Sequence, residues 1–211
     1  MTNGKMLLWP LGLIILVLAY IPSHVHANGQ KVMAPPPGSG FIFPSSPIKG
    51  WRASSWKWDG YEFGISDEVF YEKNNCAFIR SVTADSDTRG ALAQEFKATQ
   101  YRNKRMRFSA VVKMEAIDMS AALTMRVIDS GMRMLGYDEM YGRNITGTRD
   151  WQRYKVVLDV PEESGYITFG ITVRGKGEVW VSSVMFEETK DEPTAPPMYP
   201  NEPVNLDFSE V

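Results

Sequence analysis

Residues 104–115 alternate strictly. Met106, Phe108, Ala110, Val112 and Met114 fall on one side, against Arg105, Arg107, Ser109, Val111 and Lys113. A period of two with one apolar side marks a half-buried strand. The same pattern recurs in "AALTMRVID", where Leu123, Met125 and Val127 oppose Thr124 and Arg126. It recurs in "YITFGITVRG", where Ile167, Phe169, Ile171 and Val173 oppose Tyr166, Thr168 and Thr172. In "DWQRYKVVLDVPEE", Tyr154, Val156, Leu158 and Val160 share one side, with Lys155, Val157 and Asp159 on the other. Turn residues punctuate these runs at 86–90, 129–131, 146–150, 161–165 and 174–177. The best helical window, "EAIDMSAAL" (115–123), is short. Many short strands with regular turns predict an all-β, two-sheet antiparallel β-sandwich over residues 48–190.

The flanks differ in kind. Lys5, the apolar run Met6–Tyr20 and "VHA" (25–27) read as a secretory signal peptide, residues 1–27, cut after Ala27. The run is short for a membrane span and holds Pro10, with an uncleaved anchor as the alternative. Residues 28–47 are a Pro/Gly/Ser-rich linker in which Phe41, Ile42 and Phe43 could pack as a strap. Residues 191–211 are a Pro-rich tail whose Leu206 and Phe208 could form an edge strand. The expected location is exported, periplasmic or extracellular, with no membrane span once the signal is removed.

That boundary matters for chemistry. His24 and His26, the two histidines of the chain, lie inside the signal, so the exported part has none. Histidine-based nucleophile systems and His-ligated metals are thereby excluded. Cys76 is the single cysteine, so no intrachain disulfide forms, and its strand-like setting predicts a buried apolar role. A net charge of −2 and a pI near 5.8 argue against a nucleic-acid surface. The basic run 101–107 reads as a solvated strand face, with Arg105 and Arg107 opposite Met106 and Phe108.

The stretch 147–188 carries a further signal: Trp151, the strand 156–160, Pro161, the strand 167–173, Gly175 and Gly177, then an apolar-rich run. Upstream, "ALAQEFKATQYRNKRMRFSAVVKMEAI" supplies a strand centred on Gln94, a "YRNK" turn and a long alternating strand. This succession over about 51–188 resembles the galactose-binding-like jelly-roll domains, which include carbohydrate-binding modules of secreted glycoside hydrolases. A group of bacterial proteins shows the same order of motifs, sometimes attached to regulatory or enzymatic domains. The resemblance implies a jelly-roll fold, a structural place for Trp151 and a non-catalytic role. It also implies that ligands differ widely across the superfamily. Many sugar-binding relatives carry Asp in the last strand, where one helps hold a structural calcium. Here Ser182 and Ser183 stand there, so no cofactor and no metal are expected, with Asp67 or Glu68 the remaining carboxylates for calcium. Thr124 stands where relatives often place an aromatic.

The candidate ligand residues are Trp56, Trp58, Tyr61, Gln94, Arg126, Tyr137, Asp138 and Tyr141. Aromatic rings pack on the C–H faces of sugars, and nearby polar groups bind the hydroxyls. The window 50–64 holds Trp51, Trp56, Trp58, Tyr61 and Phe63, and Trp51 and Trp58 could instead plug the end of the sandwich. Arg126 lies mid-groove if the outer side of its strand is concave, or else forms a cross-strand ion pair. Residues 136–144 interleave Tyr137 and Tyr141 with Asp138 and Glu139, as a recognition loop or a solvated hairpin. Gln94 faces either a groove or a neighbouring backbone. Three functions are compatible: a glycan-binding module, an envelope protein-interaction module, and a carboxylate-based glycoside hydrolase, for which no paired carboxylates are evident.

Overall fold

The computed structural model describes residues 48–57, 59–190 and 192–193. The expected signal peptide, linker with its 41–43 strap and tail edge strand, and Trp58, lie outside these residues. The described part is all β. Its nine strands are β1 (Arg52–Ser55), β2 (Tyr61–Tyr71), β3 (Asn74–Ser81), β4 (Arg89–Lys97), β5 (Lys104–Asp129), β6 (Met134–Asp138), β7 (Ile145–Val160), β8 (Ser164–Arg174) and β9 (Glu178–Glu188).

Every pairing is antiparallel, and β5 is the hinge of the architecture. Its first half, 104–115, pairs β9 on one side and β7 on the other. Its second half, 120–129, pairs β8 and β6. One continuous ladder therefore folds into two leaves. Leaf one runs β1-β4-β8-β5-β6, and leaf two runs β7-β5-β9-β3-β2. Together they make the curled jelly-roll sandwich that the alternation predicts.

The bend explains two departures from the sequence reading. Residues 115–123 are not helical. They are the corner of β5, where Ala116 takes a φ of 52° and the register with β7 slips repeatedly. Such bulges re-aim a strand from one sheet to the next. Residues 146–150 are likewise strand rather than turn, because β7 follows β5 around the same corner.

The core fills the space between the leaves. Phe108 of leaf two stacks on Phe169 of leaf one at 4.5 Å, with the rings 20° apart. Phe186 stacks on Phe169 at 5.2 Å, and Phe96 and Tyr101 meet Phe186 edge-on. Trp51 caps this group, edge-on to Phe169 at 6.0 Å. Val156, Leu158 and Val160 of β7 are buried in the same core, with Tyr154 packed against it. Trp151 is structural but lies elsewhere. It packs with Tyr71, at 5.2 Å, on a second cluster of Cys76, Phe78 and Trp180 on the outer side of leaf two. Cys76 is fully buried there, and burial pushes its thiol above the ordinary range.

The basic run behaves as a strand face. Arg105 grips Asp159 through two bonds of 2.7 and 3.0 Å, Arg107 pairs with Glu187 at 2.8 Å, and Lys104 lies 3.7 Å from Glu188. These cations are neutralised by carboxylates of the adjacent strands β7 and β9.

Candidate functional site

The outer side of leaf one is built from residues that alternate with the core. On β8 the core takes Ile167, Phe169, Ile171 and Val173, which turns Thr168, Gly170 and Thr172 outward. Register then aligns outer residues across the leaf. One row is Ser54, Ala91, Thr172 and Ala122; the next is Arg52, Ala93, Gly170 and Thr124; the third is Glu95, Thr168, Arg126 and Tyr137. The middle of this surface is made of small side chains.

It is also concave. A Cβ at Gly170 would lie 2.8 Å from the Ala93 Cβ and 2.3 Å from the Leu92 carbonyl oxygen. Facing Cβ atoms on neighbouring strands ordinarily stand about 4.5–5.5 Å apart. The outer surface is therefore curled inward at this point, and only glycine permits the approach. Long side chains converge over the hollow from both sides. Arg89 of β4 donates to Glu139, just past β6, at 2.9 Å, although β8 and β5 separate their strands. The Tyr137 hydroxyl donates to the same Glu139 oxygen. Burial and this bond push Tyr137 up to about 12. Burial alone would raise Glu139, but Tyr137, Arg89 and Arg126 outweigh it and hold the carboxyl below its ordinary value. On the neighbouring row, Arg52 pairs with Glu95 at 3.4 Å, and Thr168 donates to Glu95 at 3.3 Å.

Arg126 lies where the sequence pattern puts it, exposed on the outer side and in register with Thr168 and Tyr137. It makes no side-chain hydrogen bond or ion pair with any described residue. Trp56 follows the last residue of β1, its amide donating to the Arg89 carbonyl at 3.0 Å, and it is 66% exposed. Tyr141, at 68%, stands in the loop past β6. β1 and β6 are the edge strands of leaf one, so Trp56, just past β1, and Tyr137, on β6, stand at its opposite edges, with Tyr141 in the loop beyond.

Three other candidates are placed differently. Tyr61 is a core residue, and its hydroxyl donates to the carbonyls of Thr88 and Gly175 at 3.1 and 2.6 Å. Burial, reinforced by Asp118 and Asp85, pushes it well above the ordinary tyrosine range. Asp138 is buried and spent on its own loop, pairing with Arg143 at 2.7 Å and accepting the Met140 amide at 2.7 Å. Gln94 alternates with Arg89, Ala91, Ala93 and Glu95, so it shares the core side of β4 with Leu92 and Phe96. Buried tyrosines and aspartates look like exposed ones in a sequence; the partners that hold them are distant in the chain.

Two residues that the sequence pattern does not single out border this surface: Glu139, in the loop past β6, and Arg89, at the start of β4. The alternation of β4 puts Arg89 outward, but only the sheet order shows that it faces Glu139. Among the described residues, no three His, Cys, Asp or Glu side chains group to hold a metal. Asp67 and Glu68 are exposed at an irregularity of β2. A separate cleft of about 510 Å³, lined by 103–105, 159–161 and 188–190, opens at one end of leaf two and includes no candidate residue. No helix among the described residues is long and apolar enough to cross a membrane.

No protein-family profile matches the chain. A Bacillus subtilis protein described as an uncharacterized HTH-type transcriptional regulator is 36% identical over 169 residues, covering 77% of this chain. The chain spans 57% of the length of that relative. Among solved structures, the enzymatically active domain of bacteriophage CBA120 tailspike protein 4 superposes with a TM-score of 0.54 at 12% identity, over 67% of this chain and 20% of that one. The CBM22-1 xylan-binding domain of Paenibacillus barcinonensis Xyn10C superposes with a TM-score of 0.50 at 14% identity, over 70% of this chain and 91% of that domain. At such identities the likeness is one of fold: a curled antiparallel jelly roll.

Proposed function

We propose that the chain is an exported, non-catalytic binding module that takes carbohydrate on the concave side of leaf one. The observation that carries this reading is the hollow itself. It is floored by Ala91, Ala93, Gly170 and Ala122 and flanked by Trp56 on one edge and Tyr137 and Tyr141 on the other. A sugar chain needs such a trough, with rings for its C–H faces and polar groups for its hydroxyls. Arg126, Arg52, Glu95 and Thr168 supply the polar groups. The likeness in fold to a xylan-binding domain supports the reading without naming the sugar. The match to part of a protein described as a transcriptional regulator fits a ligand-reading unit joined to different partners in different proteins. Affinity electrophoresis through neutral and acidic polysaccharides, with wild type and Trp56→Ala, tests it. Retardation by at least one polysaccharide, weakened in the variant, is the expected result. Migration unaffected by every polysaccharide, for a folded protein, overturns it.

A protein-interaction module is the second reading. It is favoured by β2, an edge strand that exposes Ile65 (51%) and Phe70 (48%). Pull-down from an envelope fraction separates the two, since a protein partner that survives glycosidase treatment supports this one.

A further inference from the structure

The guanidinium groups of the concave surface are matched to carboxylates with one exception. Arg52 has Glu95 at 3.4 Å, Arg89 has Glu139 at 2.9 Å, and Arg174 has Asp87 at 3.9 Å. Arg126 has none among the described residues. Glu139, the carboxylate whose charge it is coupled to, is already engaged by Arg89 and by the Tyr137 hydroxyl. Arg126 therefore feels that carboxylate only at a distance. The hollow thus holds, beside its β6 edge, a cation unmatched among the described residues, in a chain whose overall charge is −2. The row in which it stands places Thr168 on one side and Tyr137 on the other. A guanidinium is a planar fork of donors that fits a carboxylate through two parallel bonds, and it is a weaker partner for an isolated hydroxyl.

We propose that the glycan bound on this surface is acidic, a uronic-acid-containing polysaccharide, and that Arg126 receives its carboxylate while Trp56 and Tyr137 flank the sugar rings. The assignment rests on the carbohydrate reading above and narrows it to one substrate class. It distinguishes this surface from one built for a neutral chain, where the Arg126 fork would find only hydroxyl acceptors and no counter-charge. The matched pairs on either side keep the surrounding surface close to neutral, so the attraction is local to Arg126 and is not a general basic patch.

The test compares polymers that differ only in charge. Polygalacturonate and alginate are presented to the full chain by titration calorimetry, each beside its methyl-esterified form, with xylan and galactan as neutral chains. Wild type is expected to bind at least one free-acid polymer tenfold or more tighter than its ester. Arg126→Gln is expected to erase that ratio by weakening the free-acid polymer at least tenfold more than its ester. Arg126→Lys should keep only part of the ratio, since an ammonium lacks the fork. The exposure of Arg126 makes these variants compatible with folding, and a thermal melt verifies it. Equal binding of acid and ester forms, or of neutral chains alone, overturns the acidic assignment and leaves the carbohydrate reading standing. A preference that survives in Arg126→Gln also overturns it. Dextran sulfate bound as tightly as the uronates, and lost in Arg126→Gln, shows recognition of bare charge and overturns the carboxylate. Binding to no polysaccharide at all removes both readings together.

Discussion

Arg89 and Glu139 meet at 2.9 Å although two strands, β8 and β5, lie between the strands that carry or precede them. Neighbouring strands stand about 4.8 Å apart, so the pair spans some three strand spacings. It does so because leaf one curls and Glu139 lies in the loop beyond β6. The clasp, together with Tyr137, fixes the loop past β6 against the opposite side of the hollow.

The clasp should titrate. Glu139 sits below its ordinary value, so its contribution is fully present above the unfolded glutamate pKa of about 4.3 and is lost as pH falls through the lower folded value. Stability and ligand binding should therefore be flat from pH 5 to 8 in this respect and decline in stronger acid. In Glu139→Gln that acid-side component should vanish. Tyr137, freed of its bond to a charged carboxylate, should move down from about 12 toward the ordinary tyrosine range, read by ultraviolet titration against Tyr137→Phe. The pair is partly exposed, so the stability loss should stay within about 1 kcal/mol.

Trp56 and Tyr61 should part company. Trp56→Ala removes a mostly exposed ring and should cost less than about 1 kcal/mol of stability while weakening glycan binding about tenfold or more. Tyr61→Phe should do the reverse. It removes the hydroxyl donor of the Gly175 carbonyl, while the Thr88 carbonyl keeps the Gly175 amide, which costs about 1–3 kcal/mol, with ligand affinity of the folded protein unchanged. Urea denaturation and affinity electrophoresis on the same two variants check both halves.

Phe108→Ala should cost about 3–5 kcal/mol in chemical denaturation, since a fully buried ring stacked between the leaves is replaced by a cavity. The same substitution at Phe70, about half exposed at the edge of leaf two, should cost far less.

Gly170→Val should prevent the curl of leaf one. Its side chain would meet the Leu92 carbonyl and Ala93 at distances no packing tolerates. We expect no soluble folded protein, judged by near-ultraviolet circular dichroism, and partial recovery in Gly170→Ala is not expected, because the Cβ alone already collides.

The alternation of apolar and polar positions was enough to read the fold class and the core sides of β5, β7 and β8, because a strand with one buried side repeats every two residues. It also put Arg126 and Thr124 on the outer side. It could not read the corner of β5. There the period breaks over residues 115–120, and a slipped strand looks like a short helix or a loop. The same break hid the fact that residues 146–150 follow β5 as strand.

Side-chain fate was less legible. Tyr61, Asp138 and Gln94 carry the chemistry of a sugar site, and their sequence neighbours do not reveal that they are buried, braced or turned inward. Their partners, such as Gly175 for Tyr61, are supplied by distant strands.

By itself, the sequence determined that this chain forms an all-β sandwich, held by its core without disulfides, because period and composition are local properties. Which side of which leaf is hollow, that Arg89 reaches Glu139, and that Arg126 has no carboxylate partner among the described residues were decided by tertiary structure. Those facts depend on strand order and curl, set by how β5 bends, and on the near contact that Gly170 permits.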